Sequence, residues 1–232
     1  MRCGGRLAAL AGIAGLMLGV WACASTQQTR SAEASGFLGD YSELKPGRAE
    51  QAQLLYIQPG ADFSGYERVL IDPVTLWLAG DSQVAELPRD EAEQLASYFE
   101  TALRRELAIG FTIVEQAQPG TLRIRAAITE ARRSRVVADV ASTVLPPARV
   151  LSSLKKLATG THAFVGRAGI EVEVLDAVSS TRLIAAVDER AGSKALDGAT
   201  DTWGDVQQAY DYWARLIAAR LALFRDIDAA EP

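Results

Sequence analysis

The ten residues Thr121–Glu130, TLRIRAAITE, alternate between two faces: Leu122, Ile124, Ala126 and Ile128 on one, Arg123, Arg125 and Thr129 on the other. A period of two marks a strand with one buried face, because successive side chains leave a pleated backbone on opposite sides. The same period returns downstream, where Ile170, Val172 and Val174 alternate with Glu171 and Glu173. Turn chemistry at Ser179-Ser180 then leads into Leu183, Ala185 and Val187, which completes a hairpin.

On either side of these strands the period changes to that of a helix. From Pro88, Leu95, Phe99, Ala102, Leu103 and Leu107 recur at three- and four-residue spacing. Asp90, Glu91 and Glu93 crowd the first turn and Arg104 and Arg105 the end, in the sense the helix dipole favours. A last helix begins near Thr202, with Asp205 as a weak capping partner and Val206, Tyr210, Trp213, Ile217, Leu221 and Phe224 as its apolar stripe. Phe111–Glu115 reads as a short strand, and Arg68–Leu78 as a strand pair or one bent strand interrupted at Asp72-Pro73. Residues 36–65 are turn-rich with scattered aromatics, including Phe37, Tyr41, Tyr56 and Phe63, which suits an extended arm pinned over the domain.

One-faced strands and one-striped helices combine most economically as an α+β fold: a mostly antiparallel sheet of about 4–6 strands with two main helices on one face, plus the N-terminal arm. The free sheet face would then carry Arg123 and Arg125 near Glu171 and Glu173 as a solvated ladder of opposite charges. The length of 232 residues and 49% hydrophobic composition are enough for one such core, taken here as residues 36–228.

Composition also excludes several functions. Two cysteines cannot form a disulfide framework, and a single histidine rules out His-rich metal sites. A net charge of −5 is the wrong sign for a general nucleic-acid binder. Any Ser-His pair depends on His162, and no Gly-x-Ser-x-Gly elbow, P-loop, dinucleotide fingerprint or metal motif is present. Asp62, Asp72 and Asp81 have the spacing of turn and cap residues. Trp77, Trp203, Tyr210, Tyr212 and Trp213 could line a groove, although helical spacing puts Tyr210 and Trp213 in the core. The residues therefore suggest no catalytic group, metal or cofactor.

The N-terminus reads as an address. Arg2 and Arg6 precede an apolar run from Leu7 to Val20 that ends in Trp21-Ala22-Cys23. The 14 apolar residues span about 21 Å as a helix, short of the ~30 Å bilayer core. Residues 1–22 resemble a bacterial lipoprotein signal peptide. That resemblance implies acylation of Cys23 and cleavage before it, and Ala24 in place of an aspartate implies sorting to the outer membrane. Cleavage removes two arginines and no acids, taking the net charge from −5 to −7. Residues 23–35 are small and polar and read as a lipidated flexible tether.

One segment has a charge bias of its own. Arg123–Lys156 holds eight basic and two acidic residues. Within it, Pro146-Pro147 precede Val150, Leu151, Leu154 and Leu157 at helical spacing, beside Arg149, Lys155 and Lys156. These three cations are candidates for contact with a partner or with membrane head groups, and a plain connecting helix with solvated lysines fits the pattern as well.

The segments Ser35–Gly47 (SGFLGDYSELKPG), Tyr66–Val74 (YERVLIDPV), Ser142–Pro146 (STVLP), Gly160–Val165 (GTHAFV) and Tyr210–Trp213 (YDYW) resemble a family of proteobacterial outer-membrane lipoproteins built on a single domain of unknown function. The resemblance implies one α+β domain and brings no catalytic residue or substrate with it. The expectation is a membrane-anchored, periplasm-facing, non-enzymatic module for protein interaction or envelope assembly, with an envelope protein as partner. The alternative is a carrier or sensor of a lipid or small hydrophobic ligand.

Overall fold

The computed structural model describes residues 26–29, 33–48, 50–77, 87–132, 166–192 and 203–230. Among the described residues nine strands form one mixed sheet: β1 (Thr26–Gln28), β2 (Lys45–Pro46), β3 (Leu54–Ile57), β4 (Arg68–Ile71), β5 (Thr75–Leu76), β6 (Thr112–Val114), β7 (Thr121–Arg132), β8 (Arg167–Asp176) and β9 (Arg182–Gly192). The order across the sheet is β2-β3-β9-β8-β7-β4-β6, with β1 also on β9 and β5 also on β7. Helices α1 (Arg89–Leu107) and α2 (Gly204–Asp228) pack on one side.

The α+β class and the two helices agree with the sequence. The sheet is larger than expected and is not mostly antiparallel throughout. β4 and β5 both run parallel to β7, and β6 runs parallel to β4. The cause is α1, which leaves the end of the β4–β5 segment and returns the chain to its start, so β6 enters in the same direction as β4. The Asp72–Val74 interruption leaves β4 and β5 on the same neighbour, as one bent strand would be.

The main core lies between sheet and helices. It includes Val69, Leu103, Leu107, Ile124 and Ile128, all fully buried. Phe99 of α1 stacks on Tyr210 of α2 at a centroid separation of 4.9 Å, which locks the helices together.

The other sheet face is not a solvated ladder. Glu171 and Glu173 are 0% and 4% exposed, because the arm over Ser35–Leu44 covers them. Glu171 accepts hydrogen bonds from Ser35 N at 2.6 Å, from Leu38 N at 3.3 Å and from the Tyr41 hydroxyl. Glu173 takes Arg125 and Arg182, each at 2.6 Å. Arg182 also donates to the carbonyls of Leu38 and Asp40. Each buried charge is therefore paired or hydrogen-bonded, as its desolvation requires. The arm's aromatics do pin it: Phe37 meets Trp77 edge-on at 5.5 Å, and Trp77 Nε1 donates to Ser35 O at 3.0 Å.

The β8–β9 hairpin is in place, but its register moves the apolar set expected from β9. Glu171 lies opposite Val187 and Glu173 opposite Ala185, so Ala185 and Val187 pack under the arm. The helix-facing residues of β9 are instead Ile184, Ala186 and Asp188, opposite Val174, Val172 and Ile170. The stretch 23–35, which reads as a tether, contains β1, paired with β9 from Thr26↔Gly192 to Gln28↔Arg190.

Candidate functional site

A sheet this wide extends past its helices. α1 packs over β4, β5 and β6, and α2 over β8 and β9. β3 lies one strand further out, and Leu55 and Ile57 project from its helix-facing side because Leu55 pairs with Ala186 and Ile57 with Ile184. No helix among the described residues covers them. The result is a cavity of about 170 Å³, open along one side, between β3 and the flank of α2.

Its floor is Ile170, Val172, Val174, Ile184 and Ala186. One wall is Leu55 and Ile57, and the other is Leu216, Ile217 and Phe224 of α2. Beyond the cavity α2 continues apolar into solvent, with Leu223 and Ile227 at 44% and 48% exposed. Leu216, Leu223 and Ile227 lie outside the stripe that α2 needs for its core contacts. This broader apolar face was the one sequence signal of the groove. The floor, by contrast, reads as ordinary core.

Polar groups gather at one end. Asp188 is 3% exposed, and its Oδ1 accepts from Gln28 Nε2 and from Gln53 N at 3.2 Å. Its Oδ2 accepts from Trp213 Nε1 at 2.7 Å. Burial pushes the Asp188 carboxyl above the usual carboxylate range, against the lowering effect of the bonds from Gln28, Trp213 and Gln53. Glu50, Gln51 and Arg220 also line the cavity. The loop carrying the first two depends on Gly47, where a β-carbon would lie 1.9 Å from the Ala52 carbonyl oxygen.

The walls of the groove are apolar, and the bonds to its one buried carboxylate come from residues that hold the fold together. Among the described residues no group of three or more His, Cys, Asp or Glu is placed to hold a metal ion, and no helix is long and apolar enough to cross a membrane.

Of the described site residues suggested by sequence, Trp213 alone lines the groove. Cys23, Arg149, Lys155, Lys156, His162 and Asp81 lie outside the described residues. Asp72 forms a two-pronged ion pair with Arg123, at 3.0 and 2.8 Å, and Asp62 caps the turn at Ser64 N. Tyr210 and Trp213 are core residues, and Trp213 also closes the polar end of the groove.

No curated protein matches the chain in sequence at a significant level. Among solved structures, the chain is similar to the PelC dodecamer from Paraburkholderia phytofirmans, at 12% identity and a TM-score of 0.38, covering 74% of this chain and 94% of that one. It is also similar to a candidate lipoprotein from Caulobacter crescentus (16% identity, TM-score 0.32, 71% and 93% covered). A third is a protein of the DUF330 family from Xanthomonas campestris (9%, 0.40, 75% and 93%). A family model described as a protein of unknown function (DUF3313) matches residues 33–217. The chain therefore belongs to the DUF3313 family.

Proposed function

We propose that this protein is a lipid-anchored envelope module, held to the outer membrane through acyl chains on Cys23 and facing the periplasm. In this reading it is not an enzyme, and it binds an envelope protein through the groove between α2 and β3. The observation that carries the reading is the size and character of that groove. A cavity of about 170 Å³ is close to the ~150 Å³ that encloses one benzene ring. Small-molecule sites usually measure about 300–1,000 Å³. The groove therefore suits one or two apolar anchor side chains of a protein, the kind of contact that dominates interface energetics. A carrier of whole lipids would need a larger and more enclosed space. The exposed Ile57, Leu223 and Ile227 extend the apolar surface beyond the cavity. Arg149, Lys155 and Lys156 are proposed as a second, electrostatic contact with the partner or with head groups.

The test is crosslinking in living cells with Ala186→Phe, which fills the floor of the groove. A defined protein adduct that disappears in A186F, with the fold intact, supports the groove as the contact. An adduct unchanged in A186F but lost when Arg149, Lys155 and Lys156 all become glutamine moves the contact away from the groove. Recovery of bound lipid in place of a protein favours the carrier.

A further inference from the structure

We infer that one end of the sheet, the row of Gln27, Ala191, Arg167 and Arg132, rests on the surface of the bilayer that holds the anchor, with the groove standing above the head groups. The inference rests on the proposed lipidation of Cys23 and adds an orientation to it. The row is defined by register. Gln27 pairs with Ala191, Ala191 with Arg167, and Arg167 with Arg132, so four adjacent strands end at one level.

The anchor is bound closely to that level. A free tether of twelve residues would let the domain wander about 20 Å from the membrane. Here β1 takes up Thr26–Gln28 of that stretch, and it is fastened three ways: by its pairing with β9, by Thr29 N donating to Glu189 O at 2.9 Å, and by Gln28 Nε2 bonding Asp188 and the Gln51 carbonyl. Cys23 stands three residues before Thr26, a reach of at most about 11 Å. Because β1 is antiparallel to β9, its first residue, Thr26, lies opposite Gly192 at this end of the sheet.

Arg132 and Arg167 lie in the row, with side chains 43% and 32% exposed, and each is paired with a carboxylate: Arg132 with Glu130 at 3.6 Å and Arg167 with Glu189 at 3.1 Å. The placement therefore rests on the register and on the short reach from β1 to Cys23, and not on charge.

The consequence concerns the groove. Arg182, at the start of β9, is nine residues from Ala191, so at ~3.4 Å per residue the β8–β9 turn stands about 31 Å from the row. Asp188 is three residues from Ala191, so the groove begins about 10 Å above the row and runs outward toward Ile184 and Phe224. A partner would therefore reach it from the aqueous side, with a soluble segment.

The experiment uses the full chain, processed in cells and reconstituted in vesicles of phosphatidylethanolamine and phosphatidylglycerol. With Cys3 cleaved off and Cys23 acylated, a cysteine introduced as Gln27→Cys or Val178→Cys is the sole free thiol. Both positions are exposed. Each is labelled with an environment-sensitive fluorophore and quenched by lipid carrying a head-group nitroxide. The expected result is strong loss of fluorescence at position 27 and almost none at 178. Equal quenching, or stronger quenching at 178, in protein that floats with the vesicles overturns the orientation and leaves the anchor standing. Failure to float, matching a Cys23→Ser control, overturns the anchor and the orientation with it.

Discussion

Trp213 Nε1 donates to Asp188 Oδ2 at 2.7 Å, joining α2 to β9 at the buried end of the groove. On its other oxygen, Asp188 holds Gln28 of β1 and the backbone of Gln53 beside β3. One carboxylate thus fixes the helix, the groove wall and β1 in a single arrangement.

Replacing Trp213 with Phe keeps most of the ring packing and removes the donor. A buried carboxylate oxygen left without its partner costs about 1–3 kcal/mol. Urea unfolding of Trp213→Phe should show a loss of that order, with no change in the slope against denaturant. A loss below a few tenths would mean that the bond contributes little.

The same carboxylate gives a pH signature. Its folded pKa is raised, so between the ordinary carboxylate value and that raised value the folded state binds more protons than the unfolded state. The contribution of Asp188 to stability is therefore largest at low pH and falls as pH rises through that window. Asp188→Asn lacks this dependence. Measured by urea unfolding from pH 4 to 7, the stability of the Asn variant relative to wild type should improve as pH rises, whatever its offset at pH 4.

Glu171 is the corresponding clamp on the opposite face, and it is fully buried. Glu171→Ala strands two amides and a tyrosine hydroxyl that now bond to one charge, each worth about 1.5–3 kcal/mol when its acceptor is ionised. The expected result is a loss of roughly 3 kcal/mol or more, with protease cleavage appearing between Gly36 and Leu44. Global destabilisation without preferential cleavage of the arm would argue against a clamp specific to it.

Filling the groove should leave the fold largely alone. The position of Ala186 is open to the cavity, so Ala186→Phe should change stability by no more than about 1 kcal/mol. If instead the variant unfolds, the groove is closed core packing in solution and not a binding surface.

Much of this architecture was legible wherever a buried face repeats locally. Leu122, Ile124, Ala126 and Ile128 declared β7, and Leu95, Phe99 and Leu103 declared α1. The strands at Arg68–Leu78 and Phe111–Glu115 were legible too, but their parallel direction was not, because it is set by the return of the chain through α1 and not by any local period. The burial of Glu171 was hidden for a different reason. Its partners lie 130 to 136 positions earlier in the chain, and nothing local shows that an arm will cover a charged strand face. The groove exists because β3 extends past α2, a property of the assembled sheet, and only the surplus apolar residues of α2 hinted at it.

The central claim is that a protein side chain enters this groove. It is tested most directly by placing a photocrosslinking benzoylphenylalanine at Ile57, on the groove wall, and at Val178, in the distant β8–β9 turn, and irradiating intact cells. The account predicts a defined protein adduct from position 57, absent from position 178 and abolished when Ala186→Phe is added. Adducts to lipid alone from position 57, or the same protein adduct from both positions, would contradict it.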